Sequence, residues 1–145
     1  MNLEHFSRLK KMYLQANVNT HIFDTTECKI EHEKATISLQ VSEKYFHALG
    51  AIHGSVYFKL LDDAAYFAVS SLVTDVFVLT SSFSTNMVRP VSAGKITAKG
   101  IVRFKSNHLY IAESTLYNQD GKEIAFGTGH FVKSKIKLSS EIGYQ

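Results

Sequence analysis

The segment from Ser55 to Thr74 restricts the possible fold more than any other part of the sequence. Its apolar residues recur three and four positions apart, as on a helix, and they cover most of the circumference. These residues are Val56, Phe58, Leu60, Leu61, Ala64, Ala65, Phe67, Ala68, Val69 and Leu72. A helix of this kind is normally buried on nearly all sides, so the rest of the chain is expected to wrap around it.

Segments rich in β-branched and aromatic residues follow this helix and predict four strands. They lie at 77–88, 94–105, 109–118 and 123–133. In KITAKGIVRFK, the alternate residues Ile96, Ala98, Gly100, Val102 and Phe104 share one face, as in a half-buried antiparallel strand. The sequence NQDG between the last two strands has the residue types of a tight hairpin turn.

The sequence before the helix completes an α+β fold. Residues 3–15 have the apolar spacing of a short amphipathic helix, and residues 27–41 predict a strand pair. We therefore expect a single domain over residues 1–145, with an antiparallel sheet of five to six strands wrapped around one long central helix. An N-terminal helix at 1–16 and a tail at 134–145 flank this core. Open sheet edges and the very apolar helix favour self-association.

Composition excludes several classes of protein. Apolar residues make up 45% of the chain, but no run is long enough to span a membrane, and the N-terminal sequence is unlike a signal peptide. The single cysteine, Cys28, rules out an internal disulfide and argues against a zinc site. A net charge of +3 is far below that of a nucleic-acid-binding tail. We expect a cytoplasmic protein without metal, nucleic-acid or membrane partners.

Two adjacent acids interrupt the apolar helix. Asp63 has Lys59 one turn before it, which is an obvious cationic partner. Asp62 has Phe58 behind it and Tyr66 ahead, so burial is expected to raise its pKa unless a donor compensates. Such a carboxylate is a candidate base or nucleophile. The alternative is that both acids lie on one solvated stripe.

The turn before the helix offers complementary chemistry. Gly50 and Gly54 let the backbone approach a ligand closely, and the first N–H groups of a helix have no partner within it. The Gly54 N–H is therefore a candidate oxyanion donor. His53 either fixes the turn or binds substrate; the alternative is a buried histidine satisfied by backbone groups.

These motifs together resemble a known family. The pattern H-x-x-G-x-x-H-G-S at 47–55, with Asp62 nine residues after His53, resembles that of the hotdog-fold acyl-CoA thioesterases of the PaaI-like branch. The strand sequence TSSFSTNMVRPVSAGKITAKGIV and the hairpin LYNQDGKEIAFGTGHF are similar to those of the same family. The similarity covers roughly residues 35–133.

The resemblance implies roles for individual residues. Asp62 matches the carboxylate that activates water or attacks the thioester carbonyl, and Gly54 matches the residue whose amide binds the carbonyl oxygen. His53 matches the motif histidine near that carbonyl, and Thr80 lies where some relatives have a hydroxyl that orients the water. The family's site lies between subunits, so the resemblance implies a homodimer or a dimer of dimers. No cofactor is implied beyond the coenzyme A of the substrate.

The motif departs from the family at two positions. His47 replaces the usual asparagine, which helps position the water or the acid, and Ser55 replaces the second glycine. Ser55 is expected to contact substrate or to act as the N-cap of the helix.

Substrate-binding candidates lie outside the motif as well. Arg89 and Arg103 are candidates for the coenzyme A phosphates, with a solvated outer sheet face as the alternative. Phe58, Tyr66 and Phe83 are candidates for an acyl or aryl pocket, with the core as the alternative.

Three functions remain after the sequence is considered. The first is hydrolysis of an acyl-CoA thioester. The second is acyl-CoA binding or sensing without catalysis, which the histidine at position 47 favours. The third is a hotdog dehydratase or isomerase, whose usual placement of histidine and acid does not suit the spacing between His53 and Asp62.

Overall fold

The structure is a computed structural model, and it describes residues 2–145. The helices are α1 (Leu3–Gln15) and α2 (Gly54–Ser70), and the strands are β1 (Glu27–Glu31), β2 (Lys34–Gln40), β3 (Val76–Met87), β4 (Lys95–Lys105), β5 (Tyr110–Tyr117) and β6 (Glu123–Lys137). A π-helical turn at Val18–Ile22 follows α1, and short 3₁₀ turns lie at Glu43–Tyr45 and Ser140–Ile142.

The six strands form one sheet in the order β1-β2-β4-β5-β6-β3, and every neighbouring pair is antiparallel. Helix α2 packs against this sheet, and Leu60, Leu61, Ala64 and Ala65 on it are completely buried. The expected α+β architecture, an antiparallel sheet wrapped around one long helix, is therefore confirmed.

Gly100 on β4 sets the distance between α2 and the sheet. A Cβ atom at this position would lie 2.3 Å from the carbonyl oxygen of Ala64, far inside van der Waals contact. The helix backbone therefore rests directly on the strand. Because dense packing leaves no room for sliding, this contact fixes the height of α2 and the positions of the side chains that it presents.

The outermost strands of the sheet differ greatly in length. At one edge, β1 has five residues, whereas β3 at the other edge has 12. Much of β3 is exposed, including Leu79, Ser81 and Ser82. A long open edge of this kind presents unpaired backbone donors and acceptors to a further strand.

Some sequence predictions need correction. Phe104 does not share the buried face of β4, because the pairing with β5 shifts register between Val102 and Phe104 and turns Phe104 outward, where it is half exposed. Strand β6 continues to Lys137, beyond the expected end at residue 133 and into the segment assigned to a tail. The predicted N-terminal helix includes Met1, which lies outside the described residues.

His5 on α1 links the C-terminal segment of the chain to the end of α2. The ring of His5 on α1 is buried, with Nε2 2.8 Å from the carbonyl oxygen of Ser70 and Nδ1 2.7 Å from the hydroxyl of Tyr144. The residues around Gly143 consequently lie against α1, and the Gly143 position is close to Met12. None of the described helices is long and apolar enough to cross a membrane.

Candidate active site

Asp62 lines a cavity of about 640 Å³ between α1, α2, β3 and the segment around Gly143. Its Oδ1 atom accepts a hydrogen bond of 2.9 Å from Thr80 Oγ1 on β3. Burial raises the pKa of Asp62 to about 6, the Thr80 hydroxyl acts in the opposite direction, and the neighbouring Asp63 charge adds to the increase. The predicted effect of burial on this carboxylate is thus confirmed. Asp62 is partly ionised at pH 6 and mostly ionised above pH 7.

The cavity has the size and lining of a small-molecule site. Most of its wall is apolar or aromatic, and it includes Tyr66, one of the predicted pocket residues. The other apolar members of the wall are Met12, Ala16, Val18, Phe67, Phe77, Val78, Leu79 and Ile142. An acyl or aryl group fits such a lining.

Asp63 belongs to a polar network rather than to a solvated stripe. Its Oδ2 atom accepts 2.6 Å hydrogen bonds from both Lys59 Nζ and the Tyr13 hydroxyl. The side chains of Lys59 and Asp63 are only 12% and 19% exposed. The predicted ion pair is confirmed. The alternative of a solvated stripe, favoured for Asp63, is wrong because α1 covers this side of α2.

The start of α2 is capped by His53. Its Nδ1 accepts a hydrogen bond of 3.0 Å from the backbone N–H of Ser55 and lies 2.8 Å from Ser55 Oγ. Ser55 is therefore not the N-cap, because the helix already begins at Gly54. His53 itself is exposed, so the alternative of a buried histidine is wrong. Its ring fixes the turn that presents Gly54.

A second cavity, of about 320 Å³, lies at this end of α2. It brings together three of the predicted site residues, His47, Gly54 and Arg89. Within residues 2–145, no acceptor takes the Gly54 N–H. The Tyr57 hydroxyl donates to the Arg89 carbonyl at 2.7 Å and so ties the helix to the loop after β3. The geometry leaves a helix-terminal N–H group available to a ligand.

The other predicted residues lie outside both cavities. Phe58 and Phe83 pack edge to face, with their ring centroids 5.7 Å apart, where α2 faces β3. Arg103 lies within 3.6 Å of Glu113 on the outer side of the sheet. These placements give the three side chains no direct contact with either cavity of this single chain.

Several residues that line the cavities were not predicted as site residues from the sequence. Tyr13 and Asn19 line the large cavity, and Tyr57 lines the small one. Tyr13 reaches Asp63 from 50 residues away in the chain, which no local spacing indicates. No set of three or more His, Cys, Asp or Glu side chains within residues 2–145 is placed to hold a metal ion.

The two cavities lie at different heights along α2. Asp62 follows Gly54 by eight residues on the same helix, which separates their backbones by about 12 Å at 1.5 Å per residue. A thioester group is far too small to contact both. Within one chain, the Asp62 carboxylate and the Gly54 N–H therefore cannot contact the same carbonyl group.

Comparisons with known proteins identify the family of the chain. Residues 49–125, more than half of the chain, match the sequence model of the thioesterase superfamily. No curated protein sequence is significantly similar to the chain.

Several solved structures are similar to the chain. One is the E. coli PaaI protein from the phenylacetic acid degradation operon, with a TM-score of 0.83 at 17% identity, covering 94% of this chain and 97% of that one. Another is a mutant of a thioesterase enzyme from Staphylococcus aureus, with a TM-score of 0.71 at 21% identity, covering 79% and 99%. A third is a mutant of the phenylacetic acid degradation protein PaaI from Thermus thermophilus, with a TM-score of 0.68 at 20% identity, covering 75% and 93%.

Proposed function

The chain belongs to the thioesterase superfamily and has the hotdog fold, and we propose that it hydrolyses an acyl-CoA thioester to a free acid and coenzyme A. The resemblance to the PaaI-like thioesterases is confirmed. The observation that carries the proposed reaction is the Asp62 carboxylate, which Thr80 holds in the wall of an apolar cavity and whose pKa burial raises to about 6. This combination suits a base or nucleophile that works near neutral pH.

Asp62 acts in its ionised form. It either removes a proton from the attacking water or attacks the thioester carbonyl itself, and both routes require the carboxylate. The Thr80 hydroxyl fixes one carboxylate oxygen, so the other remains for the water or the carbonyl carbon. The leaving group is the thiolate of coenzyme A.

Gly54 of a second copy stabilises the developing oxyanion. Its N–H has no acceptor within the described residues and lies at the positive end of the α2 dipole. A preorganised backbone donor of this kind contributes about 2.7–4 kcal/mol to acyl-transfer catalysis. The motif residue His53 caps the helix by accepting the Ser55 N–H, which fixes the turn that contains this amide.

The second copy is expected to dock along β3. This strand is the long exposed edge of the sheet, and it carries Thr80 on the side of the cavity that Asp62 lines. We expect pairing of two β3 edges to bring the start of one α2 near the middle of the other. Phe58 and Phe83, which lie outside both cavities, are then available to the shared site. The assembly is a homodimer or a dimer of such dimers.

The two cavities divide the substrate between them. The 640 Å³ cavity receives the acyl or aryl group, whereas the 320 Å³ cavity with Arg89 is open to the coenzyme A portion. The Arg89 Nε donates to the Glu123 carbonyl at 3.1 Å, which leaves its terminal nitrogens for phosphate. Arg103 is a weaker candidate because Glu113 already lies beside it.

The reaction is tested by measuring the release of free thiol from a panel of acyl-CoAs. Wild type is expected to turn over at least one member, and Asp62→Asn is expected to lose at least about 100-fold in kcat. Turnover of none of the panel, or an Asp62→Asn variant as fast as wild type, overturns the proposal.

A complementation experiment tests the shared site. Gly54→Pro removes the N–H, and proline suits the first position of a helix, while His53 already has the extended backbone that precedes proline. Gly54→Ala is the control, since it keeps the N–H and adds a Cβ 3.0 Å from the flexible Met87 side chain. Mixed with Asp62→Asn subunits, inactive Gly54→Pro subunits should form dimers with one intact site and recover roughly a quarter of wild-type activity in a statistical mixture. No recovery in proven mixed dimers would count against a site built from two chains.

Acyl-CoA binding without catalysis is the second candidate, because His47 lies in the small cavity where the family has asparagine. Tight binding of acyl-CoA with no thiol release, and turnover that appears only in His47→Asn, would favour it.

A further inference from the structure

Two exposed lysines lie one strand away from the open edge of the sheet. Lys133 and Lys137 on β6 pair with Val78 and Val76 on β3. Residues opposite each other in an antiparallel pair project from the same face of a sheet, and so do alternate residues of one strand. Both lysines are therefore on the same face as Val78, which lines the large cavity.

Neither lysine has an acidic partner. Within residues 2–145, neither forms an ion pair with a carboxylate, whereas Arg103 and Lys105 on β4 both do. Between Lys133 and Lys137, β6 has three residues where β3 has one, so the strand bulges here. Bulges redirect side chains and are frequent beside active sites. The two charges are thus available to an anionic group.

The proposed shared site determines how two copies of β3 meet. Thr80 on β3 donates to Asp62, and Met87 on β3 lies against Gly54, where an added Cβ would be 3.0 Å from the Met87 sulfur. For Gly54 of a second copy to reach Asp62, Met87 of that copy has to lie opposite Thr80. The position of the catalytic groups therefore sets the register of the two β3 edges.

This register brings a third positive charge to the lysines. Each step along one strand of an antiparallel pair is matched by a step in the opposite direction along the other. Arg89 of the second copy, just beyond the end of β3, therefore arrives opposite Val78, which pairs with Lys133 on its other side. The Arg89 Nε donates to the Glu123 carbonyl, so its terminal nitrogens remain for a ligand.

We propose that Lys133 and Lys137 of one copy and Arg89 of the second copy together bind the phosphate groups of coenzyme A. This inference rests on the proposed acyl-CoA hydrolysis and names the residues that hold the far end of its substrate. Val76, the partner of Lys137, lies about 13 Å along β3 from Thr80 at 3.3 Å per residue. The pantetheine arm separates the phosphates from the sulfur by a distance of this order. The phosphates then receive charge-assisted hydrogen bonds from both chains.

The experiment compares the best acyl-CoA with the matching acyl-pantetheine, which has the same thioester and no phosphate. Lys133→Gln/Lys137→Gln is expected to raise the KM for acyl-CoA about fivefold or more relative to that for acyl-pantetheine, and less so at high salt. Lys10→Gln/Lys34→Gln is the control, because it removes two other exposed lysines without an ion pair within residues 2–145, and it should leave this ratio unchanged. Equal changes for the two substrates, or none for acyl-CoA, would overturn the phosphate site.

Mixed dimers test whether the phosphate site draws on two chains. When Lys133→Gln/Lys137→Gln subunits are combined with Arg89→Gln subunits, each mixed dimer has one site without the three charges and one site with all three. About a quarter of all sites in a statistical mixture should then show the wild-type KM for acyl-CoA. If no sites do so in proven mixed dimers, the lysines and Arg89 do not meet across the two chains and the inference is wrong.

A binding measurement keeps the inference separate from catalysis. Calorimetry with coenzyme A itself should show weaker binding to Lys133→Gln/Lys137→Gln by about fivefold or more, whether or not turnover is detected. If acyl-CoA is hydrolysed but the lysine variant binds coenzyme A as wild type does, the phosphate site is wrong while the proposed reaction stands. If no acyl-CoA is hydrolysed but the lysine variant binds coenzyme A more weakly, the proposed reaction fails and the phosphate site stands.

Discussion

The hydrogen bond from Thr80 to Asp62 gives a quantitative test of the proposed catalytic role of this carboxylate. Thr80→Val keeps the shape of the side chain and removes the hydroxyl that donates to Oδ1 at 2.9 Å. A hydrogen bond to a charged group is worth about 1.5–3 kcal/mol, and one pKa unit corresponds to about 1.36 kcal/mol. Since the bond stabilises the ionised form, its removal should raise the pKa of Asp62 by about one to two units.

The expected consequence is a shift of the pH–rate profile. In wild type the pKa of Asp62 is about 6, so activity should rise through that pH as the carboxylate ionises. In the variant the acidic limb should move to roughly pH 7–8, so kcat/KM at pH 7 should fall by roughly two- to tenfold and recover toward pH 9. Initial rates of thiol release from pH 5 to 9 measure this.

Thr80→Ser is the matched control, because it retains a hydroxyl at the same position. Its profile should follow that of wild type. If Thr80→Val is active and its acidic limb stays near pH 6, Asp62 is not the group whose ionisation controls the rate. A uniform loss of activity at all pH values would assign Thr80 a role in placing the substrate or water, rather than in setting the charge of Asp62.

Further predictions concern stability. Asp62 has a folded-state pKa of about 6, above 3.8 in the unfolded chain. Its ionisation therefore has little effect on the fold below pH 3.8, destabilises it increasingly as the pH rises toward 6, and destabilises it in full above that pH. Asp62→Asn should therefore raise the free energy of unfolding at pH 8 by up to about 3 kcal/mol, but not at pH 3.5; equal effects in denaturant titrations at both pH values would contradict this. Gly100→Ala should destabilise the fold by about 1–3 kcal/mol, because the added Cβ would lie 2.3 Å from the Ala64 carbonyl oxygen. A melting temperature equal to that of wild type would show that contact with Gly100 does not fix the position of α2. Tyr144→Phe removes the hydroxyl beside buried His5 and should lower the free energy of unfolding by about 1 kcal/mol, measured by urea unfolding. The control is Tyr117→Phe, because the Tyr117 hydroxyl makes no hydrogen bond within residues 2–145. It should leave the free energy of unfolding unchanged.

The sequence predicted the parts of the fold that depend on local pattern. The helix that became α2 was recognisable because its apolar residues cover nearly the whole circumference, and the alternation in KITAKGIVRFK placed Ile96 and Ala98 on the buried face of β4. The position of Phe104 on the buried face was predicted wrongly. The register shift after Val102 arises from pairing with β5, and the sequence of β4 alone does not indicate that shift.

In the candidate site, too, the features set by local spacing were predictable and those set by long-range contacts were not. The pair of Lys59 and Asp63 was predictable from helical spacing, as was the effect of burial on Asp62. The bond between Thr80 and Asp62 spans 18 residues and was not predicted. The family resemblance suggested Thr80 only as a hydroxyl that orients the water. The exposure of Asp63 was predicted wrongly because α1, which covers it, reaches it from a distant part of the chain.

The cavity proposed to receive the acyl group draws part of its wall from opposite ends of the sequence. Met12, Tyr13 and Asn19 come from its beginning and Ile142 and Gly143 from near its end, and all five lie outside the region 49–125 that matches the superfamily. The central region supplies Asp62, Thr80 and the rest of the wall, including Tyr66 and Phe77. Substitutions in the two terminal segments therefore reshape part of this cavity without replacing the acid or the hydroxyl that holds it.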